Sequence, residues 1–200
     1  MIYLLRHGQT EPQKQKSFIG QTDIPLSEKG ICQALLWREK LKAVRFERIF
    51  CSDLERTRRT ARIIARHRAE IIRPMPLLRE IHLGEWEMRP MSEIQRHFPR
   101  EWHCRGENIV SYRPPDGENF EDLHDRVIPF FEKIAGQSEG NILIAAHAGV
   151  NRVILCHALG MPLTNLFRIT QDYAGLNMMD YNKKNFRVIA VNISPAGMNL

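Results

Sequence analysis

No apolar run in this chain approaches the roughly 20 residues that a membrane-crossing helix needs. A hydrophobic leader is missing too, because Met1-Ile2-Tyr3-Leu4-Leu5 meets Arg6 too early. These absences argue for a cytoplasmic protein with no membrane partner. Cysteine is sparse: Cys32, Cys51, Cys104 and Cys156 lie far apart and form no CxxC pair. That excludes a disulfide frame and a zinc ribbon, and the four are expected to be buried, reduced thiols. Histidines are more numerous, but the tightest group, His97, His103 and Cys104, lacks the spacing of a zinc finger or an HExxH helix. No metal site is assigned. The net charge of +6 suits an anionic partner, yet the basic residues form no dense tract. Arg56, Arg58, Arg59, Arg62, Arg66 and Arg68 read as a helix with a solvated face. With no RNP-like aromatic motif or zinc finger, charge alone supports nucleic-acid binding, and no nucleic-acid partner is expected. Repeats, low-complexity tracts and linkers are also lacking. The 200 residues are therefore expected to form one domain, 1–200, with a sizeable core.

What is present alternates. Ile2-Tyr3-Leu4-Leu5 reads as a buried strand and 28–43 as an amphipathic helix, with Ser27 as its N-cap. Arg48-Ile49-Phe50-Cys51 reads as a second strand. Ser52-Asp53 then supplies a cap for a helix running to about Arg68, and Glu70-Ile71-Ile72 reads as a third strand. This βαβαβ order predicts an α/β fold with a mostly parallel sheet and helices on both faces. Six prolines lie between 74 and 117, a segment read as an insertion with short helices at 91–98 and 101–104. A helical period returns over 118–135, Asn141 to Ala146 is the clearest buried strand, and 149–159 is helical. Strands at 175–181 and 186–192 flank the turn Asn182-Lys183-Lys184-Asn185.

Two buried strands end in histidine, Leu5-Arg6-His7-Gly8 and Ala145-Ala146-His147-Ala148-Gly149. If these strands are neighbours, His7 and His147 meet at the C-terminal edge of the sheet, where open α/β sheets bind ligands. Gly8 gives the backbone room to turn, or lets an anion approach main-chain N–H groups. Arg56 falls in the first turn of a helix that starts at the same edge. A helix N-terminus attracts anions, and a guanidinium grips phosphate oxygens in pairs.

Taken together, Arg6-His7-Gly8, Ser52-Asp53-Leu54-Glu55-Arg56-Thr57 with Thr60-Ala61, Leu78-Arg79-Glu80 with Gly84-Glu85-Trp86-Glu87, and His147 resemble the histidine phosphatase superfamily. Gly20, Asp23, Pro25-Leu26-Ser27, Gly30 and Pro115-Asp116-Gly117-Glu118-Asn119 match the same pattern, so the resemblance spans nearly the whole chain. It implies a phosphoglycerate mutase-like three-layer sandwich. His7 would be a nucleophile that forms a phosphohistidine. Arg6, Arg56 and His147 would hold the phosphoryl oxygens, and Glu80 would be the general acid, then the base. The implied substrate-binding set is Arg6, Gly8, Gln13, Gly20, Gln21, Arg56, Glu80, His147 and Ala148. Gln13 and Ala148 depart from the more usual Asn and Gly. The implied mechanism needs neither metal nor cofactor.

The stretch around Gly84-Glu85-Trp86-Glu87 is similar to the compact phosphatase branch, including alpha-ribazole phosphatases and broad-specificity sugar-phosphate phosphatases. The expected activity is hydrolysis of small-molecule phosphate monoesters by a monomer or homodimer. Phosphoglycerate mutase is one alternative, and a catalytically inactive binding protein on the same fold is another. Substrate choice is expected to rest on an insertion at 81–120 covering the pocket, with Trp86, Trp102, His103, Arg105, Tyr112 and Arg113 as candidate lining.

Overall fold

A computed structural model describes residues 1–197 of the chain. Six strands form its sheet: β1 (Ile2–Arg6), β2 (Phe46–Cys51), β3 (Ile72–Pro74), β4 (Asn141–Ala146), β5 (Leu176–Tyr181) and β6 (Phe186–Ile193). Their spatial order is β3-β2-β4-β1-β5-β6. The first four are parallel to one another, and β5 and β6 close the sheet in antiparallel fashion.

Strand side chains alternate between the faces, so each strand feeds two cores. Ile2, Leu4, Ile142, Ile144 and Ala146 pack on one side with α5 (Phe120–Gln137) and α6 (Ala148–Leu159). Tyr3, Leu5, Leu143 and Ala145 pack on the other with α1 (Glu28–Lys40) and α2 (Glu55–Ala65). A near-continuous apolar run such as Ile142-Leu143-Ile144-Ala145, with no exposed side chain, is what a strand covered on both faces requires. The result is the expected helix–sheet–helix sandwich. Two short helices, α3 (Met91–His97) and α4 (Pro99–Glu107), stand in the proline-rich segment. No described helix is long and apolar enough to cross a membrane.

Several boundaries move. Ser27 caps α1 as expected, its Oγ accepting from the Gly30 N–H at 3.2 Å. Ser52 and Asp53 do not cap α2: its first free N–H, on Glu55, is taken by Asp23 Oδ1 at 2.8 Å. Asp53 instead forms a two-pronged ion pair with Arg79 at 2.6–2.7 Å. The third strand lies two residues later than expected, because Ala69–Ile71 wind into a 3₁₀ turn that lets Ile71 reach the core. A 3₁₀ helix at Leu163–Arg168 has no counterpart in the sequence reading. The cysteines divide. Cys51 and Cys156 are buried, and burial pushes the Cys51 thiol up to about 12, whereas Cys32 and Cys104 are exposed. The expectation of four buried thiols fails for the latter two, which sit on the outer faces of α1 and α4.

Candidate active site

The parallel neighbours β2, β4 and β1 all end at one edge. Their registers, Cys51 opposite Ala145 and Arg6 opposite Ala146, deliver Ser52, His147 and His7 side by side. The His7 and His147 rings lie 5.1 Å apart, edge to face.

His7 is tied into the sheet by its backbone, donating to Ala146 O and accepting from Ala174 N, both at 3.0 Å. Its Nδ1 lies 2.8 Å from Gly8 O. A carbonyl only accepts, so Nδ1 carries the proton and Nε2 keeps its lone pair. The ring is 5 % exposed. Burial, reinforced by the Arg6 and Arg56 guanidiniums, holds its pKa well below 6.5. The consequence is a neutral imidazole whose Nε2 keeps its lone pair at neutral pH.

His147 is fixed in the opposite tautomer. Arg56 Nε donates to its Nδ1 at 3.3 Å, so Nε2 carries the proton and donates to Ser52 Oγ at 2.8 Å. Ser52 Oγ lies in turn 2.6 Å from Thr57 Oγ1. Burial, then Arg56 and His7, depress this pKa as well. Arg56 is 2 % exposed, and its other two nitrogens donate to Thr22 O at 2.8 Å and Gly20 O at 2.7 Å. Those carbonyls belong to a loop anchored by Glu87, which accepts from Gln21 N at 2.7 Å, Thr22 Oγ1 at 2.6 Å and Leu83 N at 3.2 Å. Gly20 has φ +54, and a Cβ there would strike Glu87 Oε1, so another residue would be strained and would push the Glu87 carboxylate aside. Arg6 donates from Nη1 to Gln171 O at 2.7 Å and lies 3.8 Å over the Tyr173 ring. Its buried Nε has no acceptor among the described residues.

Glu80 faces this group from the loop after β3. Its carboxylate accepts from Ile81 N at 3.0 Å and Gly149 N at 3.1 Å, the latter in the first turn of α6. Arg126 steadies the loop from α5: it donates to the carbonyls of Leu77, Arg79 and Glu80 and grips Glu118 with two bonds of 2.8 Å. Glu85, by contrast, is exposed.

Arg6, His7, Arg56, Glu80 and His147 thus meet around one cavity of about 430 Å³, with Gln13 and Gly20 on its rim. Three expected binding residues do not line it. Gly8 is packed against α1, where a Cβ would strike Gly30 O, and its N–H is used by Thr60 Oγ1 at 3.3 Å. Gln21 is spent on the loop, its side chain donating to Glu80 O at 3.0 Å. Ala148 lines a second cavity beside the first. The expected lining also thins out. Trp86 is core, its ring tilted against Phe18 on one side and Tyr112 on the other, and Trp102 packs on Phe18. His103 is exposed and faces Glu107, and Arg113 is exposed and bonded to Asp122.

Ser52, Thr57, Gln171 and Tyr173 are site residues that sequence reasoning missed. For Ser52 a signal existed: it ends the strand next to the one that ends in His147. Tyr173 lies in the turn before β5 and has no local signature.

An unprotonated imidazole nitrogen, two guanidiniums and a carboxyl stand around one cavity, the set of groups that phosphoryl transfer calls for. Such chemistry needs an in-line nucleophile, cations for the equatorial oxygens and a proton for the leaving oxygen. Known proteins agree. An adenosylcobalamin/alpha-ribazole phosphatase of Salmonella typhimurium is 34% identical over 176 residues, covering 85% of this chain and 86% of that one. A relative from Shigella boydii, named probable phosphoglycerate mutase GpmB, is 31% identical over 184 residues, 91% of this chain and 85% of its own. The crystal structure of the alpha-ribazole phosphatase from Shigella flexneri superposes with a TM-score of 0.89 at 28% identity, covering 96% of each chain. The pattern of the histidine phosphatase superfamily (branch 1) matches residues 2–194, and the chain belongs to that family.

Proposed function

We propose that this phosphatase hydrolyses small-molecule phosphate monoesters through a phosphohistidine on His7. The observation that carries the reading is the His7 tautomer: Nδ1 is occupied by Gly8 O, which leaves Nε2 as the one ring nitrogen able to attack. In the first step Nε2 forms a bond to phosphorus, the ester P–O bond breaks, and protonated Glu80 gives its proton to the departing oxygen. Arg6 and Arg56 balance the charge on the equatorial oxygens. His147 lines the pocket beside them, held neutral between the Arg56 Nε–H and Ser52 Oγ. In the second step Glu80 removes a proton from water, the water oxygen attacks phosphorus, and the P–N bond breaks to free inorganic phosphate and His7. Residues 1–200 act here as one cytoplasmic unit, the 81–120 segment covers the pocket, and the working form is a monomer or homodimer.

Alpha-ribazole phosphate, suggested by the names of the relatives, and sugar phosphates are the candidate substrates. The test is phosphate release from 4-nitrophenyl phosphate and from a metabolite panel that includes alpha-ribazole phosphate and 3-phosphoglycerate. His7→Ala is expected to lower kcat by about 10³-fold or more, the scale of losing a nucleophile, with thermal unfolding near wild type. Full activity in that variant overturns the mechanism. Isomerisation of 3-phosphoglycerate outpacing phosphate release would make the protein a mutase instead.

A further inference from the structure

We propose that the cavity beside the phosphate pocket seats the alcohol half of the substrate, and that this half is a flat, apolar ring bearing an anionic oxygen held by Arg105. The inference rests on the phosphatase reading above and specifies its substrate class.

The two cavities share a wall that contains Glu80. An acid that protonates the leaving oxygen must stand beside it. With phosphorus on the His7 side, the remainder of the alcohol therefore extends past Glu80 into the second cavity. That space is about 160 Å³, and a dry protein cavity of roughly 150 Å³ takes up benzene. Its apolar walls include Phe18, Ile109, Tyr112, Phe120 and Phe167. Aromatic faces favour a flat ring over a hydrated polyol.

Charge adds the second element. Arg105, on α4, lines this cavity with its guanidinium 5.3 Å from the Phe18 ring centre. It makes no hydrogen bond or ion pair with any described residue, and burial lowers its pKa. Arg152, from α6, also lines the space. Its Nε donates to Ile169 O at 2.9 Å and its guanidinium covers Phe167 at 5.0 Å, while its Nη atoms make no hydrogen bond to a described residue. Glu118 also lines this cavity, but it offers neither arginine a partner, because Arg126 neutralises it with two bonds. A half-buried cation without an acceptor is costly. A carboxylate or similar oxygen on the ring would satisfy Arg105 and draw on the field of Arg152.

Non-hydrolysable phosphonates test this without the complication of leaving-group chemistry. Inhibition of 4-nitrophenyl phosphate hydrolysis would be measured for inorganic phosphate, ethylphosphonate, benzylphosphonate and 3- and 4-carboxybenzylphosphonate. We expect benzylphosphonate to bind more tightly than ethylphosphonate, and one carboxybenzyl isomer to bind about tenfold or more tighter still. Arg105→Gln should remove the carboxylate gain and leave inhibition by inorganic phosphate as it was. Phe167→Ala, a change at an exposed position, should narrow the gap between benzyl and ethyl. Absence of any carboxylate gain, or a gain that survives Arg105→Gln, overturns the proposal and leaves Arg105 a solvated cation. If inorganic phosphate itself fails to compete in the wild type, the phosphatase reading falls, and this inference falls with it.

Discussion

The strand-end half of the site and the 81–120 half are built by different means. At the strand ends, His7 and His147 continue parallel strands whose registers are fixed by backbone hydrogen bonds and by side chains buried on both faces. Every ring nitrogen of the pair except His7 Nε2 has a partner. The 81–120 segment instead rests on point contacts: Glu87 to the 20–22 loop, Glu118 to His82 N and Arg126, and a tilted cluster of Phe18, Trp86 and Tyr112. It leaves Arg105 without an acceptor. The lesson is a division of construction, with the histidines set by strand register and the segment beside them tied on by a few side-chain contacts, of which Glu87 reaches Arg56 through the 20–22 loop.

Glu80 joins the two halves, so disturbing it separates them most sharply after removal of His7 itself. A Cβ on Gly149 would run into Glu80 Oε1. Gly149→Ala is expected to lower kcat by about 10²-fold for alkyl phosphates, the low end of general acid catalysis. The loss should be much smaller for 4-nitrophenyl phosphate, whose leaving group needs no proton. Equal losses on both substrates would show that Glu80 is not the proton donor.

The strand-end half also predicts a pH signature in stability. Both histidines stay neutral in the fold below the 6.5 of an ordinary imidazole. About a pH unit beneath that value the unfolded chain binds close to two more protons than the folded one. Unfolding free energy therefore falls as pH drops below 6.5, by at most about 2.7 kcal/mol per pH unit for the pair. Their contribution levels off about a pH unit above 6.5. Urea unfolding at pH 5.5, 6.5 and 7.5 checks this, and replacing His147 by Asn should flatten the acid limb.

A smaller effect is expected where the second half is tied on. Glu87→Ala strips three donors of their acceptor in a mostly buried setting, and should cost about 2 kcal/mol in urea unfolding. Because the Gly20 and Thr22 carbonyls orient Arg56, KM should rise as well. A stability loss with unchanged KM would mean that the loop does not position Arg56.

The contrast between the halves also explains what could be read from sequence. The strands announce themselves by the apolar runs 2–5 and 142–146, whose ends bring Arg6, His7 and His147 together once the two strands are taken as neighbours. Arg56 follows from a helix starting at the same edge. Ser52 was within reach of the same topology, but its serine looked like a helix cap, a task that Asp23 performs from a distant loop. Tyr173 and Gln171 act through contacts 165 or more positions from Arg6, which no local pattern encodes. In the 81–120 segment, aromatic and charged side chains serve packing and binding alike. Trp86 and Arg105 read the same in sequence, yet one is core and the other lines a cavity.

The central claim is that His7 Nε2 takes the phosphoryl group. Rapid-quench mixing of enzyme with labelled 4-nitrophenyl phosphate, followed by peptide mapping, tests it directly. The account predicts acid-labile phosphate on the peptide carrying His7, formed within the first turnover. A nitrophenol burst with no label on His7, or label on another residue, would contradict it.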